Sequence, residues 1–340
     1  MLKSRNVLKL SLILIMGFLL ATFIHACEGV KEQPLKQLQI GITSWPGFDI
    51  ALYGQAAGLF EKRGLAVEFQ RFQNQQDSSR AVMRGSLDAA FVSFWDALQV
   101  DPGNDTPALV LVTNVSRGAD GIVTQAEIKS VKELQGKKVA AKLGTVNHLI
   151  LLEALNLHQV EPKTVEIEDI SNEIAVDLLK QGKVDGAVLW EPLLSETAKE
   201  IKGNIPYTTK DLNSLVIDVL VTRSGLVKEK QAELTQFILA WFDIMHAVET
   251  NPTAVFAKVG EQLGQTGAAF GADYSGLKKG DIEMNRQMFA QEGGLVEAKA
   301  KIVALLREDM RHGRIPREDL GIAREPVNAA LAQWQPVEDK

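Results

Sequence analysis

The stretch GKVDGAVLWEP, residues 182–192, contains in eleven residues the repeating unit from which this chain is built. It opens with a glycine, Gly182, at the end of a helical period, continues as the apolar run DGAVLW, and leads through Glu191 and Pro192 into another helix. A short apolar run between a helix-ending glycine and a new helix start is typical of a buried strand. The stretch therefore predicts a strand with a helix on either side of it.

The same alternation extends in both directions along the chain. The runs that read as strands are LQIGIT (38–43), AVEFQRF (66–72), DAAFVS (88–93), ALVLVTNV (108–115), KKVAAK (137–142), VEIEDI (165–170) and LVIDVLVT (215–222). Helical periods separate them, which predicts parallel β–α–β units. The pattern restarts once and ends in a helical tail, so we expect two α/β halves with chain crossings near residues 114–119 and 211–217. The tail is expected to return to the first half.

The first residues resemble an export signal. Lys3, Arg5 and Lys9 precede an apolar segment, residues 10–24, that is short for a membrane span. We therefore expect a signal peptide over residues 1–26 and a polar tether over residues 27–37. Cys27, the single cysteine, follows in the context IHAC, which resembles a bacterial lipobox and predicts lipidation. Simple cleavage near Ala26 is the alternative.

Composition narrows the functional classes. The chain has 340 residues and a net charge of −6, which argues against a nucleic-acid-binding protein. No phosphate-binding GKS or GKT loop, HExxH motif or CxxC pair occurs in it. We expect no metal, no cofactor and no catalytic residue.

Candidate binding residues follow the predicted strands, because ligands of open α/β sheets bind beyond the carboxyl ends of the strands. Aromatic side chains lie there beside hydroxyls and amides, a composition that suits a small-molecule pocket. The predicted ligand-binding residues are Trp45, Gly47, Phe48, Asp77, Ser78, Ser93, Thr113, Asn114, Gly144, Thr145, Asn147, Trp190, Glu191 and Asp218. Gln73 to Gln76, Asp96 and residues 171–173 occupy the same loops.

Each of these assignments has a structural alternative. Any one tryptophan is as readily a core residue at a sheet edge. The helix start at Thr145 attracts an anion through its free N–H groups, or Thr145 simply caps its own helix. Glu191 and Asp218 suit acid–base chemistry, or they serve the helix start and the chain crossing.

The longer segments carry a family resemblance. The segments WPGFDIALYGQAAGLFEKRGLAVEFQRF, RAVMRGSLDAAFVS, KELQGKKVAAKLGTVNHLILLEAL and GKVDGAVLWEP resemble periplasmic substrate-binding proteins of ABC importers. The subgroup is the nitrate/sulfonate/taurine family, to which thiamine-pyrimidine binders are related. The resemblance implies a type II-like α/β fold of two lobes, each a mainly parallel sheet flanked by helices, with two hinge crossovers. Lobe 1 would be residues 36–115 plus 217–340, and lobe 2 residues 116–216.

The resemblance also implies a function. The protein would be a non-enzymatic solute-binding component in the periplasm or cell envelope, anchored by lipid, that delivers a small solute to a permease and its ATPase. A bare anion would be repelled by the carboxylates of Asp77, Glu191 and Asp218, unless positive side chains such as Arg117 or Lys142 neutralise their charge. An amine-bearing sulfonate or a pyrimidine-like solute therefore suits the cleft slightly better than nitrate. The alternatives are a sensory module reporting to a membrane signalling protein and, with less support, a pyrimidine-synthase-like enzyme.

Overall fold

Two β-sheets with helices packed on them make up the described part of the protein. The structure is a computed structural model that describes residues 34–101, 105–211 and 215–337. The predicted signal peptide and Cys27 lie outside the described residues, and all elements below belong to the unit formed by residues 36–340.

The strands, in chain order, are β1 (Lys36–Ile42), β2 (Leu65–Arg71), β3 (Ala89–Ser93), β4 (Pro107–Ser116), β5 (Asp120–Thr124), β6 (Lys138–Ala140), β7 (Glu166–Glu168), β8 (Gly186–Trp190), β9 (Asn204–Thr208), β10 (Ile217–Arg223), β11 (Leu277–Lys279) and β12 (Gly321–Ile322). The α-helices are α1 (Pro46–Asp49), α2 (Ala51–Ala56), α3 (Leu59–Lys62), α4 (Gln75–Met83), α5 (Phe94–Ala97), α6 (Val146–Leu157), α7 (Asn172–Lys180), α8 (Leu193–Ile201), α9 (Ser224–Glu229), α10 (Gln231–Thr250), α11 (Pro252–Leu263), α12 (Gly267–Tyr274), α13 (Ile282–Met288), α14 (Gly294–Glu308) and α15 (Arg324–Gln333). Short 3₁₀ helices span Val131–Leu134, Pro162–Thr164, Thr209–Asp211 and Met310–His312.

The first sheet has the strand order β11-β4-β10-β3-β1-β2, with β12 paired to β4. Strand β1 is parallel to β2 and β3, whereas β10 is antiparallel to both β3 and β4. The second sheet has the order β7-β6-β8-β5-β9, with β5 antiparallel to β8 and β9. The α/β class with two mainly parallel sheets is confirmed. The strands that run opposite to the others are β10 and β11 in the first sheet and β5 in the second. Strand β5 enters its sheet directly from the first sheet, without a covering helix.

The chain passes from the first sheet to the second between Ser116 and Asp120, and it returns between Thr208 and Ile217. The two passages contact each other, because Ser116 Oγ and Thr209 Oγ1 are 2.7 Å apart and Gly118 N donates to Thr209 Oγ1 at 2.7 Å. These passages fall where the sequence predicts crossings. The lobe boundaries built on them remain a prediction.

An aromatic cluster fills the space between the first sheet and helix α10. Phe91 of β3 stacks on Phe48 with ring centroids 5.5 Å apart and contacts Trp241 of α10 at 5.7 Å. Phe60 stacks on Phe237, also of α10, at 5.4 Å. Burying one such side chain contributes about 1.5–3 kcal/mol. This cluster holds the ends of β1 and β3 in place, and these ends carry part of the site.

Several elements differ from the sequence prediction. The helical period between the first two predicted strands forms two helices, α2 and α3, because Gly58 adopts a left-handed conformation with φ +64 between them. Gly64, with φ +78, follows the end of α3, where glycine is the usual residue. Strand β9 was not predicted because Pro206 interrupts its pattern, and it lies at an edge of the second sheet, where a proline is tolerated.

None of the helices within residues 34–101, 105–211 and 215–337 combines the length and the apolar character needed to cross a membrane.

Candidate functional site

A cavity lies where the carboxyl ends of strands from both sheets meet. Its wall from the first sheet follows β1, β2 and β3, and its wall from the second follows β6, β7 and β8. The lining residues are Thr43, Gln73, Asn74, Gln75, Asp96, Lys142, Thr145, Val146, Asn147, Ser171, Asn172, Glu173 and Trp190. The volume of the cavity is about 60 Å³, which is room for several waters or a small solute.

A hydrogen-bonded chain fixes the wall from the first sheet. Ser93 N donates to Gln75 Oε1 at 2.5 Å, so the end of β3 holds the amide of Gln75 at the cavity. Ser93 Oγ donates to Asp96 Oδ2 at 2.6 Å and accepts from Asp96 N at 3.0 Å. Ser93 therefore caps α5 and orients the carboxyl group of Asp96.

Asp96 faces the start of helix α6 in the opposite wall. Burial raises the pKa of Asp96 to about 7, although Ser93, the backbone N–H of Val146 and the charge of Arg314 act in the opposite direction. Val146 is the first residue of α6, whose N-terminal dipole favours negative charge. A carboxyl group of the chain itself therefore occupies the surroundings that an anion would take at this helix start.

Side-chain amides fix the opposite wall. Asn147 Nδ2 donates to Asn172 Oδ1 at 2.7 Å and to Val188 O at 2.8 Å, which joins the starts of α6 and α7 to β8. Thr145 Oγ1 accepts from Asn147 N at 3.3 Å, so Thr145 caps its own helix. This is the structural alternative to anion binding that the sequence offered for Thr145. Lys142 forms an ion pair with Asp169 at 2.9 Å.

Three further contacts join residues near the two walls. Gln76 Nε2 and Gln99 Nε2 both donate to Gly144 O, at 3.1 and 3.0 Å. His148 Nε2 lies 3.3 Å from Asp309 Oδ2, and burial lowers the pKa of His148 to about 4. Gly144 has φ +74, a conformation that favours glycine, and a Cβ atom there would lie 3.4 Å from Gln99 Oε1 and 3.5 Å from Gln76 Nε2.

Trp45 packs behind the cavity rather than in its lining. Its side chain is only 5% exposed and meets Phe48 edge-on at 6.4 Å. The indole folds back over Gly47, where a Cβ atom would lie 2.7 Å from Trp45 Nε1 and 2.2 Å from Asn114 Nδ2. This close approach requires a glycine at position 47. The side chains of Trp45 and Asn114 both face Asp218.

Asp120 and Asp218 are buried carboxyl groups beside the chain crossings. Burial raises the pKa of Asp120 to about 7, with a contribution from the charge of Glu191 and an opposing one from Ser116. Burial also raises the pKa of Asp218 well above its ordinary value, and Asp120 and Asp96 raise it further, while Trp45 and Asn114 lower it.

The remaining predicted site residues do not line the cavity and make other contacts instead. Phe48 is a fully buried core residue, Ser78 Oγ donates to Gln75 O at 2.9 Å, and Thr113 is buried beside Asn114. Asp77 forms an ion pair with Arg80 at the start of α4. Glu191 accepts from Ser195 N at 3.1 Å, which serves the start of α8. Of the predicted set, Thr145, Asn147 and Trp190 line the cavity, and Ser93 and Gly144 contact residues that line it or bond beside it.

Several lining residues were absent from the predicted set. Gln75, Asp96, Asn172 and Glu173 occupy the loops that the strand-end rule identifies, so that rule was a sufficient signal for them. Gln99 and Asp309 have no such signal, because their contacts with Gly144 and His148 span 45 and 161 residues of sequence.

Residues 31–260 match the family model described as the NMT1-like family. The chain belongs to the NMT1-like family. Its first curated relatives are binding proteins of Brucella species, 26% identical over 164 residues, and the chain spans about half (50%) of their length. A longer match joins this NMT1-like protein to the taurine-binding periplasmic protein of Escherichia coli, with 23% identity over 276 residues, 78% of this chain and 84% of the relative.

Solved structures share the fold. The periplasmic aliphatic sulphonate binding protein SsuA of Escherichia coli superimposes with a TM-score of 0.67 and 17% identity, over 86% of this chain and 99% of SsuA. The desulfurization enzyme DSZB superimposes with a TM-score of 0.60 and 15% identity, over 87% of this chain and 99% of DSZB. The resemblance predicted from the sequence is thus confirmed for family and fold. At these identities the structures show the fold alone, which binding proteins and at least one enzyme share.

Proposed function

We propose that this NMT1-like protein is the extracytoplasmic solute-binding component of an ABC importer. It captures a small solute between a lobe of residues 36–115 plus 217–340 and a lobe of residues 116–216, and delivers it to a permease and ATPase in the inner membrane. The solute leaves chemically unchanged. In this proposal the protein works in the periplasm or cell envelope, held to the membrane by a lipid on Cys27.

One observation carries the proposal: the cavity is lined by strand ends from both sheets. A ligand there touches loops that belong to different sheets, and the chain passes between those sheets near residues 116–120 and 208–217. Hinge closure around ligands is a common motion in two-domain proteins with this arrangement. The hydrogen bonds from Gln76 and Gln99 to Gly144 are the contacts that such a closure would make and break.

The lining suits a small polar solute. It combines amides and hydroxyls with the aromatic ring of Trp190, which is half-buried at the end of β8. The printed names of one relative and of one solved structure with the same fold mention taurine and aliphatic sulphonates. We take sulfonates, nitrate, taurine and pyrimidines as the solutes to test.

A thermal-shift screen tests the proposal directly. One solute should raise the unfolding temperature in a concentration-dependent way, because a ligand that binds only the folded state stabilises it by mass action. The variant Trp190→Ala should lose at least tenfold in affinity. Leu157→Ala, which truncates an exposed apolar side chain at the end of α6, is the matched control and should bind normally.

Two results would contradict the proposal. One is a screen in which no small solute of any class shifts the unfolding temperature. The other is recovery of a chemically altered solute from the incubation, measured by mass spectrometry, which would favour an enzyme.

A further inference from the structure

Two histidines meet where the chain beyond helix α14 touches helix α6. The ring centroids of His148 and His312 are 6.0 Å apart, and His148 Nε2 lies 3.3 Å from Asp309 Oδ2. Trp95 of α5 covers the ring of His148 edge-on, with centroids 6.1 Å apart, and His148 is 0% exposed. We call His148, Asp309 and His312 the histidine contact.

The histidine contact joins the two walls of the cavity. His148 belongs to helix α6, whose first turn is hydrogen-bonded to β8 of the second sheet. The segment after α14 is bonded to the other wall, beside α5. Arg314 Nη1 donates to Gln99 O and Arg317 N donates to Leu98 O, both at 2.7 Å. Moving the walls apart therefore breaks the histidine contact and exposes the ring of His148 to water.

The hydrogen bonds of both rings require their neutral forms. His312 Nδ1 accepts from Arg314 N at 3.1 Å, so Nε2 carries the proton and donates to Leu306 O at 2.9 Å. A second proton on His312 would break the bond from Arg314. His148 Nε2 faces the carboxylate of Asp309, and His148 Nδ1 is buried without a partner among the residues that the structure describes. A proton added at this Nδ1 would therefore create a buried N–H without an acceptor.

The charges around His148 do not compensate for that second proton. Asp309 is shared, because Arg311 Nε donates to its two carboxylate oxygens at 3.0 and 2.9 Å. From α5, the residue that faces the ring is the uncharged Trp95. Burial lowers the pKa of His148 from 6.5 to about 4; Asp309 opposes this shift, and Arg311 and His312 add to it.

We propose that the histidine contact is an acid-sensitive latch, which holds the two walls together at neutral pH and releases them as the pH falls. In the open arrangement the exposed ring of His148 takes up a proton below its ordinary pKa of 6.5. Closure is therefore fully favoured above pH 6.5, and this contribution is lost as the pH falls toward 4. The inference rests on the proposed function, in which closure holds the solute, and it adds release of the solute by acid.

Two carboxyl groups near the histidine contact act in the opposite direction. Glu153 of α6 faces Glu308 and Lys301 of α14; burial and the charge of Glu308 raise the pKa of Glu153, and Lys301 opposes them. Burial also raises the pKa of Asp96 to about 7. Acid favours the closed arrangement through both groups. The latch is therefore tested by comparing the natural chain with a variant that changes His148 alone.

Hydrogen–deuterium exchange of the solute-free protein at pH 5.5 and 7.5 makes this comparison, in residues 146–152 and 305–314. Exchange rates are corrected for the intrinsic pH dependence of amide exchange. The variant His148→Gln keeps a side-chain N–H donor but does not titrate. The ratio of the corrected rate at pH 5.5 to that at pH 7.5 should be at least threefold larger in the natural chain than in this variant. His246→Gln, which removes an exposed histidine on α10, is the matched control and should follow the natural chain.

A second variant keeps the test decisive if His148→Gln does not fold. His312→Gln changes a half-buried position and should lower the same ratio at least twofold, because a proton can no longer enter the ring beside His148. Equal ratios in the natural chain and in the folded variants would overturn the inference. Because the measurement needs no solute, that result leaves the proposed function standing. A solute screen without any hit contradicts the proposed function and leaves the exchange result unchanged.

Discussion

Asp120 shows at the scale of one residue how position changes the chemistry of a side chain. It is the first residue of β5 and lies at the point where the chain enters the second sheet. That position removes it from water, and Glu191 adds repulsion, so its pKa rises to about 7. Asp218 faces the same conditions, with Asp120 and Asp96 as its charged neighbours. Folding therefore stabilises the protonated forms of these carboxyl groups.

This arrangement makes the stability of the solute-free protein depend on pH. A group whose pKa is raised on folding stabilises the fold fully below its unfolded pKa, 3.8 for Asp, and the contribution is lost as the pH rises through the folded value. The unfolding temperature should therefore fall between pH 6.5 and 8.5. His148 acts in the opposite direction only below pH 6.5, because its pKa is lowered from 6.5 to about 4.

Differential scanning calorimetry of Asp120→Asn checks this prediction. The unfolding temperature of this variant should depend less steeply on pH than that of the natural chain across the same range. Asp177→Asn, which removes an exposed carboxyl group on α7, is the control and should follow the natural chain. An Asp120→Asn variant that loses stability as steeply as the natural protein would contradict the assigned cause.

At the scale of elements, the turn before helix α6 connects the two walls. Gly144 O accepts from both Gln76 and Gln99, and the helix that follows begins at Val146 facing Asp96. The backbone at Gly144 has φ +74, and a Cβ atom there would lie 3.4 Å from Gln99 Oε1 and 3.5 Å from Gln76 Nε2. Its turn is thus constrained both by its own conformation and by contacts from the other wall.

Gly144→Ala should weaken solute binding by at least threefold, because strain of about 1 kcal/mol falls on the turn that makes these contacts. Gly136→Ala is a matched control, since Gly136 has φ +75 and no atom lies within 4 Å of its added Cβ. Both variants should lose similar stability, and only Gly144→Ala should lose affinity in a titration. Equal affinities for the two variants would show that the turn has no part in binding.

Local patterns in the sequence predict most of the elements and part of the cavity lining. GKVDGAVLWEP was interpreted correctly as the end of a helix, strand β8 and the approach to α8, because each boundary there is set by a local residue. Thr145, Asn147 and Trp190 line the cavity, because it lies at the strand ends that are visible in the pattern, and their part in binding stays a prediction. The place of Asp96 opposite Val146, and that of Trp45 behind the lining, depend on packing between residues distant in sequence, which no local pattern contains.

At the scale of the whole molecule, two β-sheets line one cavity. The chain passes between these sheets near residues 116–120 and 208–217. Contacts such as His148 with Asp309 and Gln99 with Gly144 hold the walls of that cavity together. We expect a solute to add to these contacts from inside the cavity, so that both sheets respond to one ligand. A site that belongs to one sheet alone would have no such effect on the other.

Hydrogen–deuterium exchange with and without the solute that raises the unfolding temperature tests this claim most directly. We expect slower exchange in segments from both walls, residues 73–77 and 93–99 beside the first sheet and residues 142–148 and 171–174 beside the second. Protection confined to one wall, or protection only at segments away from the cavity, would contradict the account.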